Sequence, residues 1–165
     1  VTINATRVAT STSIYSTALA EGETFCLVNE TRQSLGRTNK YKAVYEVTSS
    51  GIVPQESAEY VVWQTGKDKS GNEITQNTFR AVIPDDAPLS NFQLPTDQST
   101  ADKLKAADWQ LASDSPEVTA MQTKPTLSLI FQHRLAKIVI TIAENGKVDL
   151  ASLSELLILG SVTPL

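Results

Sequence analysis

The sequence predicts an all-β sandwich with one or two short helical turns, and three observations carry that prediction. Strand-like segments recur along most of the chain, which is the pattern of a many-stranded β domain. The stretches between them carry turn chemistry, as in SSGIVP at 49–54, TGKDKSGNE at 65–73 and PDDAP at 84–88, where Gly, Pro, Asp and Asn reverse the chain. The longest apolar run, LSLIFQHRLAKIVITIAE at 127–144, is interrupted by Gln132, His133, Arg134 and Lys137, too often for a membrane helix. It reads as a core strand.

Taken in order, TINATRV at 2–8 alternates weakly and forms a first strand-like segment, followed by the polar linker VATSTS. GETFCLVN at 22–29, KYKAVYEVTSS at 40–50, AEYVVWQT at 58–65 and NTFRAVIP at 77–84 are the next strands. In the second of these, Tyr41, Ala43, Tyr45 and Val47 share one parity while Lys42, Val44, Glu46 and Thr48 share the other. Side chains alternate faces along a strand, so this is a half-buried one. A helical turn is predicted in STADKLKAAD, where Ser99 and Asp102 have the spacing of a capping box and Leu104 and Ala107 face the core. DWQLAS returns to strand, and a second helical turn is predicted at DLASLSEL behind Asp149. In the long strand, Leu127, Leu129, Phe131, His133 and Leu135 share one parity, and Ala136, Ile138, Ile140 and Ile142 the other. That change of phase requires a bulge or break near Leu135–Lys137.

Length and balance fit one domain, residues 1–165, with 41% apolar and 19% charged residues, enough to bury a core without staples. Nineteen threonines and sixteen serines suit a solvated β surface. Net charge is −4 and the Lys and Arg residues are scattered, so a phosphate-tracking surface for nucleic acid is excluded. The one cysteine, Cys26, permits no internal disulfide and sits among apolar neighbours in TFCLV as a small buried hydrophobe. The sequence opens at Val1 without methionine or signal peptide, as expected of a trimmed or mature product.

Candidate chemistry is thin. His133 is the sole histidine; no nucleophile turn such as G-x-S-x-G and no second histidine accompanies it, so it reads as an imidazole hydrogen-bonded at the sheet rim. Asp85 and Asp86 are adjacent in one loop between two prolines, a poor arrangement for an opposed acid and base. DKSGNE at 68–73 lacks the spacing and terminal glutamate of a calcium loop and reads as a hairpin turn. No catalytic residue, cofactor or metal is expected, and the chain reads as no enzyme. Trp63 and Trp109 are the aromatic platforms that an alternative function, a glycan- or ligand-binding surface module, would use; their alternation with apolar residues favours core packing.

TLSLIFQHRLAKIVITI, with TDQSTADKLKAADWQLAS before it and DLASLSELLILGSV after it, resembles the fimbrillin-like (type V pilin) surface proteins of Bacteroidales. Leu129, Phe131, His133, Leu135, Ala136, Lys137, Ile138 and Ile140 match that family's hydrophobic-x-F-x-H-x-L-[AS]-K-hydrophobic-x-hydrophobic pattern, and Asp108–Trp109 match its D-aromatic strand start. TINATRVAT and GETFCLV resemble the family's opening strand, Thr-Arg linker and G-D strand, with Glu23 in place of the usual Asp and Cys26 in place of the usual Gly.

The resemblance implies a transthyretin-like Greek-key β-sandwich, the N-terminal of two such domains, in a lipoprotein exported to the outer membrane surface. It implies a structural or adhesive fimbrial subunit or anchor whose partners are other fimbrial subunits, joined by β-strand addition. Ligands on host or bacterial surfaces are further partners it implies. It also implies proteolytic maturation after a basic residue behind the first strand; Arg7 is the candidate, with Arg32 and Arg37 as competitors in the next loop. The chain ends at SVTPL, where the family continues into a second domain carrying the donor strand.

Overall fold

The computed structural model describes residues 2–8, 17–118 and 125–135. Within them lie seven strands: β1 (Thr2–Arg7), β2 (Thr24–Asn29), β3 (Lys42–Thr48), β4 (Gly51–Pro54), β5 (Phe79–Ile83), β6 (Gln110–Asp114) and β7 (Thr126–His133). Two short helices, α1 (Glu30–Ser34) and α2 (Ala101–Ala107), complete the described elements. The strands form one sheet in the order β1-β7-β6-β5-β2-β3-β4. Every neighbouring pair is antiparallel except β1 and β7, which run parallel with Ile3 opposite Leu127 and Arg7 opposite Phe131. The sheet curls so that β1 comes near β4, its opposite edge. The protein is all-β with short helices, as its sequence implies.

Curling encloses the main core. Phe25, Leu27, Phe79, Leu127, Leu129 and Phe131 are its largest fully buried apolar side chains, joined by Ile3 from β1 and Tyr45 from β3. Phe25 stacks on Tyr45 at 5.9 Å between ring centroids and meets Phe131 edge-on at 5.4 Å. The opposite face of β2, β5 and β6 is also covered: Cys26, Val28, Val82 and Leu111 pack against Ala87, Leu89 and Trp109 from the 84–109 segment. A strand buried on both faces reads as a continuous apolar run, which explains FCLV in β2. Cys26 is the buried hydrophobe expected, and burial pushes its thiol pKa up.

The 58–65 segment departs from expectation. AEYVVWQT is no strand; apart from the Val62 N–H, which donates to the Lys40 carbonyl, the backbone groups of its second half bond to side chains. The Val61 N–H donates to the Tyr45 hydroxyl (3.1 Å), and the Gln64 N–H donates to Asn77 Oδ1 (2.7 Å). Asn77 Nδ2 returns a bond to the Gln64 carbonyl, while Asn29 Nδ2 bonds both the Val62 carbonyl and Asn77 Oδ1. Two buried asparagines thus do what a neighbouring strand would do, because buried amides must find partners somewhere. Tyr45→Phe keeps the ring stack and strands one buried N–H, so chemical denaturation should show a loss of about 1–3 kcal/mol; an unchanged midpoint would mean that this N–H reaches water.

Three further local expectations are corrected. Gly51–Pro54 was expected as turn and is β4, joined to β3 through Ser49–Ser50; Gly51 at φ 128° supplies backbone that other residues rarely adopt. The cap of α2 is Thr100, which accepts from the Lys103 N–H, while Ser99 bonds Asp97 instead. Ala107 is buried as expected, but Leu104 is 45% exposed. The helix α1, capped by Asn29 accepting from the Arg32 N–H, was not anticipated. The DKSGNE turn is closed by Asp68, whose Oδ1 accepts from the Ser70 and Asn72 N–H groups at 2.8 Å each. The phase change near Leu135–Lys137, the DLASLSEL turn, and Ile138, Ile140 and Ile142 lie outside the described residues.

Candidate functional site, a charged latch behind the first strand

The residues that carry the sequence motifs converge on one end of the sheet. Arg7 closes β1 and His133 closes β7, while Gln110 opens β6 directly opposite His133. Asp108 precedes β6, and Glu23 precedes β2. Arg7 shares the parity of Ile3 and Ala5, so the alternation that buries Ile3 turns the guanidinium inward too. Arg7 is only 6% exposed.

Each guanidinium nitrogen has its own acceptor. Nε donates to Gln110 Oε1 (2.9 Å), Nη1 to the Ala18 carbonyl (3.3 Å) and Nη2 to Glu23 Oε1 (2.8 Å). The other Glu23 oxygen accepts from the Ala20 N–H at 2.6 Å. Gln110 sits between a group that can only donate and one that accepts, which fixes its amide: oxygen toward Arg7, Nε2 toward Asp108 Oδ2 at 2.7 Å. Asp108 Oδ1 meets His133 Nδ1 at 2.7 Å, so with Asp108 ionised the imidazole carries its proton on Nδ1. Five side chains from four strands or their flanks form a continuous relay, and among the described residues no buried side-chain nitrogen or oxygen lacks a partner.

Burial raises the pKa of Glu23, but the Arg7 hydrogen bond, the Ala20 N–H and the charges of Arg7 and Lys105 outweigh it. The carboxyl is held below its usual range. A buried arginine is tolerated when paired and fully bonded, and removing either partner leaves an uncompensated charge. The latch therefore holds the end of β1. Its members include no nucleophile, so the Asp108–His133 pair has no hydroxyl or thiol in the relay to activate. Among the described residues no group of three His, Cys, Asp or Glu side chains could hold a metal.

The placement of His133 at the sheet rim, hydrogen-bonded, is as expected. Arg7, the candidate for cleavage, is the buried last residue of β1 and is bonded on all three guanidinium nitrogens. No sequence motif connects Asp108, Gln110 and Glu23 to Arg7, although the shared parity of Ile3 and Arg7 signals that an arginine points inward. Trp63 packs edge-on against Phe79 at 4.8 Å, and Trp109 stacks on Phe92 at 5.3 Å while its Nε1–H donates to the Pro88 carbonyl. Both tryptophans are engaged in packing.

A model of the fimbrillin-like family matches residues 6–162, nearly the whole chain and every member of the latch. The chain belongs to the fimbrillin-like family. No curated protein matches this fimbrillin-like sequence. Among solved structures it is similar to that of a proposed cell adhesion protein from Bacteroides ovatus, at 16% identity and a TM-score of 0.48. The match covers 79% of this chain and 51% of that one, so the chain spans about half the length of that protein. Fimbrillin-like membership points to a structural role at the cell surface. No described helix is long and apolar enough to cross a membrane.

Proposed function

We propose that this chain is a fimbrial subunit or anchor of the bacterial cell surface that assembles by strand donation at the place of β1, as the N-terminal domain of a longer protein. The observation that supports this reading is the position of β1. It is an edge strand, laddered only to β7 among the named strands, yet it plugs the core with Ile3 and ends in the Arg7 latch. Its outer edge meets Thr17–Ala18 near its C-terminal end, through the Arg7 N–H to the Thr17 carbonyl and a bridge between Thr6 and Ala18. An edge strand that fills a groove can be replaced by another chain's strand, because the same backbone groups and side-chain pockets are offered to it. Exchange is tested by incubating the full chain with a tagged TINATRV peptide and following adducts by native mass spectrometry. One-to-one incorporation is expected; complete absence of adducts under conditions where β1 amides exchange with solvent would overturn the reading.

Arg7 remains the proposed maturation site, with access controlled by the latch. A protease needs several residues of extended, released backbone, and a buried guanidinium withholds them. Trypsin should therefore cut exposed Arg37 of the wild-type chain before Arg7, and Glu23→Gln, which weakens the latch, should speed the cut at Arg7 relative to Arg37. Mass measurement of the first fragments reads both rates. Equal protection of Arg7 in both chains would remove it as the maturation site.

A further inference from the structure

We infer that the place of β1 contains a guanidinium seat, which makes it selective for strands bearing an apolar residue, a small residue and an arginine at alternate positions. This rests on the strand-exchange reading and adds the chemistry of the partner to it. The observation is the acceptor set around Arg7. Gln110 Oε1 comes from β6 and the Ala18 carbonyl and Glu23 Oε1 from the segment before β2, and they bond three different nitrogens of one planar group, at 2.9, 3.3 and 2.8 Å. The donor end of Gln110 is committed to Asp108, so Gln110 turns its oxygen to the occupant.

An ammonium is a compact point charge and cannot span three acceptors spread around a fork, whereas a guanidinium matches them without reorganisation. A neutral side chain leaves the Glu23 carboxylate, 14% exposed, with the Ala20 N–H as its remaining bond in the seat, a costly state for a buried charge. The rest of the signature follows from the same parity. Ile3 is buried in the main core opposite Leu127, and Ala5 packs against that core opposite Leu129. Thr2, Asn4 and Thr6 fall on the other parity and leave the partner's sequence free there. The occupant is thus a strand of another subunit with the pattern apolar-x-small-x-Arg, in parallel register with β7.

The test uses the full chain with Arg7→Ala, whose own β1 can no longer fill the seat while Glu23 and Gln110 remain. Labelled TINATRV peptides are offered with Arg, Lys, citrulline or Ala at the sixth place, and affinities are read by fluorescence anisotropy. The Arg peptide should bind about tenfold more tightly than the Lys peptide, and about a hundredfold more tightly than the citrulline and Ala peptides. Citrulline has the shape of arginine without its charge, so a citrulline peptide that binds like Arg would overturn the seat as a charge site. Adding Glu23→Gln to the host should reduce the preference for Arg over citrulline. If all four peptides bind alike, strand exchange stands and the seat falls; if none binds, both fall. Should Arg7→Ala not fold, Arg7→Lys serves as host, with the same ranking expected.

Discussion

Phe131→Ala is expected to destabilise the domain by about 3–5 kcal/mol, a large part of a typical stability of ~5–15 kcal/mol. Phe131 is fully buried, meets Phe25 edge-on, and lies on the strand that joins β1 to the rest of the sheet. Truncation leaves a cavity at the junction where Arg7 stands opposite in register, so loosening of β1 should accompany the loss. The neighbouring Ile130 is the control. It is 53% exposed on the other parity of the same strand, and Ile130→Ala should change stability by no more than about 0.5 kcal/mol. Urea denaturation of both variants checks the pair. Similar losses from the two would mean that β7 presents a different face to the core.

The contrast between Phe131 and Ile130 also shows what the sequence could reveal. Along LSLIFQH the period of two is uninterrupted, and Leu127, Leu129 and Phe131 are buried as that alternation dictates. The period worked where one strand face meets the core and the other meets solvent. It failed at AEYVVWQT, because apolar alternation reports burial and says nothing about where backbone hydrogen bonds go. Asn29, Asn77 and the Tyr45 hydroxyl supply those bonds from residues 13 to 33 positions away. It failed again at GIVP, where turn residues flank a short edge strand. The latch was half legible. His133, Asp108–Trp109 and the Thr-Arg segment each stood out as a motif, yet their connection depends on Gln110 being opposite His133 and on β1 lying beside β7. A parallel pairing between the first and last described strands leaves no local mark in either.

Arg7→Ala is expected to cost about 3–5 kcal/mol, the range for removing one partner of a buried ion pair, and to make the remaining stability less dependent on pH. Arg7 and Glu23 are 4% and 14% exposed at their side chains, so solvent does little to replace the lost partner. The pH dependence follows from the direction of the Glu23 shift. Its ordinary pKa is 4.5, and in the folded chain it is lowered, since the bonds from Arg7 and the Ala20 N–H outweigh the opposing effect of burial. The unfolded state therefore binds the proton more readily than the folded state. The stabilisation is fully present above the unfolded value and is lost as pH falls through the folded one. Protonation of Glu23 removes the carboxylate charge that the buried guanidinium faces, so the end of β1 should release first. Hydrogen exchange of the amides of Arg7 and Val8, bonded to the carbonyls of Thr17 and Phe131, reports that release directly. In the wild-type chain these amides should lose protection in acid before the β2 and β5 amides do, whereas in Arg7→Ala they should already be unprotected at neutral pH. Glu23→Gln should fall between the two at neutral pH and lack the acid step. Retention of the acid step in Glu23→Gln would assign it to another carboxyl and separate the latch from the acid response of β1.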